Sequence, residues 1–131
     1  MTAALETVEL AVAAAEAASD KLAHDVVAFD VSERLAIADI FLVCSAGNER
    51  QVDAIVDAVE ERLRGLGAKP LRREGQASSR WVLLDYLDLV VHVQHAEEHA
   101  YYALERLWKD CPLVPLPAVV TREGASGPGA G

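Results

Sequence analysis

The chain has 131 residues, with 21 Asp and Glu against 12 Lys and Arg, and a formal charge of −9. A chain of that size makes one domain that can bury about two-thirds of its unfolded surface, so a core without disulfide or metal staples is expected. The acidic balance argues against direct DNA or RNA backbone binding, which needs a basic footprint, and suits a basic protein partner.

Apolar residues make up 52% of the chain, many of them Ala, and only 5% is aromatic. Two cysteines, Cys44 and Cys111, are too few for a small secreted disulfide scaffold and point to a reducing compartment. No run approaches 18 consecutive apolar residues, so no membrane span is expected. The Ala-rich start carries Glu6, Glu9 and Glu16 and no Lys or Arg as far as Ala18, unlike a secretory signal or transit peptide. A soluble, cytoplasmic protein is expected. A single domain is assigned to 1–120 and a flexible tail to 121–131, because 124–131 (GASGPGAG) has nothing to bury.

In chain order, Leu5, Val8 and Val12 recur at helical spacing and Ala15 continues the stripe, predicting a helix to about Ala18. Two short β-branched runs, 26–31 and 39–45, read as strands joined by 32–38. Asn48, with Gln51 three residues on, is close to a capping box. Val52, Ile55, Val56, Val59, Leu63 and Leu66 then fall on one helical face until Gly65 and Gly67 stop the helix. A short edge strand at 69–73 is guarded by its charges and by Pro70, and 75–79 is loop. The segments 81–85 and 88–94 read as a tight hairpin, and 97–111 as a last helix ended by Pro112, Pro115 and Pro117. The order predicts an α/β (α+β) domain, a mixed sheet of about five strands covered by helices.

A two-residue hairpin loop at 86–87 would pair 85 with 88, 84 with 89, and so on to 81 with 92. One face then carries Val82, Leu84, Leu89, Val91 and Val93 and is core. The other carries Trp81, Leu83, Asp85, Asp88, Val90 and His92, with Tyr86 at the turn. That second face reads either as packed beneath the last helix or as a partner surface with aromatic anchors and an acidic rim.

Catalytic signatures are sparse. No two acids stand at i and i+2, the spacing that puts paired metal carboxylates on one strand face. Neither phosphate-cradling glycine motif occurs. His92, His95 and His99 are the best metal candidates, but H-A-E-E-H lacks the Glu directly after the first His that a zincin needs, so no metal and no cofactor is assigned. Cys44 and Cys111 read as small core hydrophobes. Lys69, Arg72, Arg73 and Arg80, with Glu74 among them, read as a solvated edge.

The segment Asp39-Ile40-Phe41-Leu42-Val43, followed by Arg50-Gln51-Val52-x-Ala54-Ile55, resembles the central block of the ribosomal silencing factor family (RsfS, also called Iojap). Trp81-Val82-Leu83-Leu84-Asp85-Tyr86-x-Asp88-x-Val90-Val91-His92-Val93 resembles the family's W-x-x-x-D-Y-G-D-x-x-x-H strand pair. Glu98-x-x-Tyr101-Tyr102-x-Leu104-Glu105-x-Leu107-Trp108 is similar to its closing helix. Leu87 stands where the family has Gly, Gln94 where it has an aromatic residue, and His99 where it has Arg.

The resemblance implies a nucleotidyltransferase-like topology without transferase chemistry. It implies a translation repressor that binds the large ribosomal subunit through ribosomal protein L-fourteen, blocks joining of the small subunit when nutrients are scarce, and forms a homodimer when free. On this reading Trp81, Tyr86 and Tyr102 are apolar anchors, Asp85, Asp88 and Glu98 pair with basic groups of the partner, and His92 buttresses Trp81. Two rivals remain at this level: an enzyme whose acids gather only in space, and a bare homodimerisation module.

Overall fold

The computed structural model describes residues 4–33, 38–75, 81–96, 106, 110–118 and 120. Helix α1 (Leu5–Asp20) is followed by strands β1 (His24–Asp30) and β2 (Ile40–Ala46), helix α2 (Glu49–Gly65), and strands β3 (Arg72–Glu74), β4 (Trp81–Asp85) and β5 (Leu89–His95). The strands form one five-stranded sheet in the order β1-β2-β5-β4-β3. Only β2 and β5 run parallel; the other three pairings are antiparallel. The α/β class and the five-stranded mixed sheet expected from the sequence are therefore present. The expected helix over 97–111, with Glu98 and Tyr102 on it, falls almost wholly outside the described residues, as does the tail at 121–131.

Helix α2 forms where its periodicity says. Asn48 accepts the Gln51 N–H at 2.8 Å. Gln51 returns the contact one residue earlier than a capping box would, accepting the Gly47 N–H at 2.7 Å. The Gln51 Nε2 donates to the carbonyls of Lys21 and Leu22, which ties the start of α2 to the end of α1. Val52, Ile55, Val56, Val59 and Leu63 are all buried, whereas Leu66, the last member of the expected stripe, is 58% exposed beyond the helix end.

Helix α1 departs from expectation. Leu5 is 74% exposed and Val8 and Val12 are only half-buried, while Ala11, Ala14, Ala15 and Ala18 are fully buried. The inward face is thus a seam of small residues that lets the helix axis lie close to α2 and the sheet, and the larger aliphatics flank it. Apolar periodicity marks a helix without saying which of two adjacent apolar stripes faces in.

Both helices cover one face of the sheet, packing on Val26, Ala28, Leu42, Cys44, Val82, Leu84, Val91 and Val93. A second apolar cluster on the opposite face joins Phe29, Val31, Ala38, Phe41, Val43 and Cys111. Cys44 and Cys111 are both buried and free, and burial pushes the Cys44 thiol up to about 12. The outer edge of β1 is closed by a later segment: Asp30 N–H donates to the Pro112 carbonyl and Val114 N–H to that of Ala28.

Candidate functional site

The hairpin of β4 and β5 turns one residue later than expected. Asp85 pairs with Val90, Leu84 with Val91, Leu83 with His92, Val82 with Val93 and Trp81 with Gln94. The register moves by two, so the strand residues keep their faces, but Asp88, expected on the face of Trp81, lies in the loop instead. The two-residue loop is Leu87-Asp88, closed by the Tyr86 N–H on the Leu89 carbonyl at 2.8 Å. Asp88 N–H also donates to the Tyr86 carbonyl, making a γ-turn of the strained hand with Leu87 at φ +78° in its centre. The Asp85 Oδ1 stabilises this turn by accepting the Leu87 N–H at 2.9 Å. Sequence reasoning placed the turn early because a leucine is a poor signal for positive φ.

One consequence is a correction. Tyr86 continues the alternation of Val82 and Leu84 and enters the helix-covered core at 8% exposure, so its ring is not an exposed anchor at the turn. Its hydroxyl is buried without a hydrogen-bond partner. Burial, and then the Glu60 carboxylate, push the phenol up to about 12 against the lowering pull of Arg64 and Arg73. The Glu60 carboxylate is paired with the Arg73 guanidinium, joining α2 to β3.

On the opposite face the side chains fall in cross-strand rows. Phe41, Val90, Asp85 and Arg72 form one row, and Val43, His92, Leu83 and Glu74 the next. Ser45, Gln94 and Trp81 form a third. Trp81 and Asp85 therefore share a face but stand at opposite ends of β4, roughly 13 Å apart at 3.3 Å per residue.

The centre of this face is an aromatic column. The Trp81 and His92 rings are parallel within 2° with centroids 6.0 Å apart. Phe41 stacks on His92 from β2 at 6.3 Å and 29°. The Trp81 and His92 rings stack although the backbone pairs Trp81 with Gln94 and not, as expected, with His92, and only the non-local pairing of β2 with β5 brings Phe41 there. The His92 Nε2 lies 2.9 Å from Gln94 Oε1 and, in the tautomer that donates to it, leaves Nδ1 a lone acceptor. The His92 Nδ1 and the Gln94 Nε2 are both buried without partners. Burial holds the imidazole pKa below its usual value of 6.5, partly offset by the bond to Gln94. Gln94 was legible as a neighbour of His92 from the i, i+2 spacing alone.

At the turn end, Asp85 is already engaged. Its Oδ2 takes the Arg72 Nη2 at 3.3 Å from the edge strand. Asp88 is exposed, and its carbonyl accepts the N–H groups of Asp39 and Ile40, fixing the turn to the start of β2. His92 and His95 project from opposite faces of β5 by strand alternation, so these two of the three histidines considered from sequence do not converge, and His99 lies outside the described residues. Among the described residues no helix is long and apolar enough to cross a membrane.

This arrangement presents, on one strand pair, a half-exposed tryptophan on a rigid stacked support and an exposed carboxylate on a pinned turn. Comparison with known proteins identifies the domain. The family model described as "Ribosomal silencing factor during starvation" matches residues 4–128. Ribosomal silencing factor RsfS of Halalkalibacterium halodurans is 43% identical over 113 residues, covering 86% of this chain and 97% of that one. The RsfS of Bacillus subtilis is 42% identical over 103 residues, 79% of this chain and 87% of its own. A crystal structure of a Chromobacterium violaceum protein superposes with a TM-score of 0.75 at 32% identity, covering 80% of this chain and 88% of that one. With its fold and nearly its whole length matched, the chain belongs to the ribosomal silencing factor family.

Proposed function

We propose that this protein is a cytoplasmic translational repressor that binds the large ribosomal subunit through ribosomal protein L-fourteen and sterically blocks joining of the small subunit when nutrients are limiting. The observation that carries the reading is membership of the family across almost the full chain. The charge of −9 supports it, because an acidic domain is steered towards a basic protein held on RNA. So does the geometry of β4 and β5, where a half-exposed Trp81 and an exposed Asp88 flank a rigid hairpin.

In this reading Trp81 is the apolar anchor and His92 holds its ring from behind. Asp88 meets basic groups of the partner. Asp85 contributes mainly by shaping the turn and by its pairing with Arg72, and Tyr86 acts from beneath, as packing. Glu98 and Tyr102, which lie outside the described residues, are assigned to the same partner contact. A small domain can cover about 800 Å² of a partner, enough for a specific complex. Obstruction then requires a bound lifetime longer than the joining time and no turnover, so the protein is read as a binder rather than an enzyme. Self-association into a homodimer through the same hairpin face would compete with this binding.

Sucrose-gradient sedimentation of purified subunits, with and without the protein, tests the proposal. Added protein is expected to co-sediment with the large subunit and to deplete the joined ribosome. Asp88→Lys reverses an exposed charge without touching the turn's internal bonds and is expected to weaken co-sedimentation at least tenfold. Full subunit joining at saturating protein would refute the blockade.

A further inference from the structure

Gly75 directly follows β3 and lies one position out of step with Trp81 if the β3–β4 register is continued, Glu74 being opposite Leu83. It adopts φ +83°, a region that side chains avoid. A Cβ built on Gly75 would collide with the Trp81 carbonyl oxygen and lie 2.6 Å from Cε3 and 2.8 Å from Cδ2 of the indole. The second positive-φ glycine, Gly67 at +87°, has nothing within 4 Å of the same built atom. The two glycines thus share a backbone requirement, and only Gly75 carries a steric one. The ring it meets is the half-exposed end of the column that His92 supports.

We infer that Gly75 is a positioning residue for the partner surface: the space left by its missing side chain seats the inner edge of the Trp81 indole and its carbonyl, fixing the orientation in which the ring is offered. His92 sets the plane of the indole by stacking, and the Gly75 backbone sets how far the ring settles towards β3. A side chain at 75 displaces the ring without removing it. The inference rests on the reading of Trp81 as a partner anchor, and the two can fail separately.

The test uses the full chain labelled with 5-fluorotryptophan, whose two ¹⁹F resonances, from Trp81 and Trp108, are assigned with Trp81→Phe. Affinity is read by co-sedimentation with purified large subunits. Gly75→Ala is expected to move the Trp81 resonance and to weaken binding at least tenfold. Gly67→Ala, with the same backbone strain and an open environment, is expected to change neither. Combined with Trp81→Ala, the Gly75→Ala change should weaken binding no further. An unmoved Trp81 resonance, or an equal loss of affinity with and without the tryptophan, overturns the positioning role. Should Gly75→Ala fail to fold, the thermal-stability cycle of Gly75 with Trp81→Ala decides. A smaller penalty for Gly75→Ala in the Trp81→Ala background supports the role, and an equal penalty overturns it. If Trp81→Ala alone leaves co-sedimentation unchanged, the anchor reading falls, while the resonance shift still judges the contact between Gly75 and the ring.

Discussion

The face of the sheet beneath α1 and α2 and the face opposite are made by the same strands, alternate residue by alternate residue, yet they are filled on different principles. The helix-covered side is aliphatic: Leu42, Leu84, Leu89, Val91 and Val93 have no exposed surface, and Tyr86 supplies its lone stranded hydroxyl among the described residues. The opposite side stacks Phe41, His92 and Trp81 and keeps two buried polar atoms without partners, His92 Nδ1 and Gln94 Nε2. Unpaired buried polar groups cost roughly 1–3 kcal/mol each. Each face carries such a cost, and what sets the second apart is the half-exposed indole at the end of its ring stack, the feature on which the proposed recognition rests.

Neighbouring residues on β4 offer the sharpest way to break this contrast. Leu84→Ala, at a fully buried position of the helix-covered face, is expected to cost about 3 kcal/mol in chemical denaturation. Leu83→Ala, half-buried on the other side, should cost less than about 1 kcal/mol. Equal losses would mean that the second face bears as much of the fold as the first.

The next effect is a dependence on pH. The unfolded imidazole takes its proton near pH 6.5, and the buried His92 only at lower pH. Its stabilising contribution is therefore whole above pH 6.5 and is lost as pH falls through the folded-state value. Between pH 6.5 and 5, His92→Gln, which keeps a donor for Gln94, should flatten the stability curve by up to about 1.4 kcal/mol per pH unit. Parallel curves would show that the column does not sense protonation. Smallest is Tyr86→Phe, which removes the stranded hydroxyl and should be neutral or stabilising by up to about 1 kcal/mol in thermal melts. A clear loss would reveal a bond made by that hydroxyl.

Much of this was legible in the sequence, for reasons that differ by element. Helix α2 carries Val52, Ile55, Val56, Val59 and Leu63 on a single stripe with charges kept off it, so type, cap and face are all readable. The two hairpin strands were readable from alternation, and because the register moved by two, the division of side chains between faces survived the misplaced turn for all but Asp88, which moved into the loop. What escaped was conformational or non-local. Positive φ at Leu87 leaves no mark in residue type, and it put Tyr86 in the core rather than at the surface. Phe41 and Gly75 are placed beside the His92–Trp81 pair by strand pairings distant in sequence, which a linear pattern does not encode. In β2 every residue is buried, so alternation was no guide to which of them look towards the column.

The alanine seam of α1 gives the two helices opposite mutational characters. Along α2 the inward positions hold Val, Ile and Leu, and a library of substitutions there should lose function chiefly when a side chain shrinks. Along α1, Ala11, Ala14, Ala15 and Ala18 leave no room to grow, so bulk is the offence and serine or glycine the milder change. Sequence drift in the first helix is thereby confined to its outer flank, while the second can exchange one aliphatic for another at nearly constant volume.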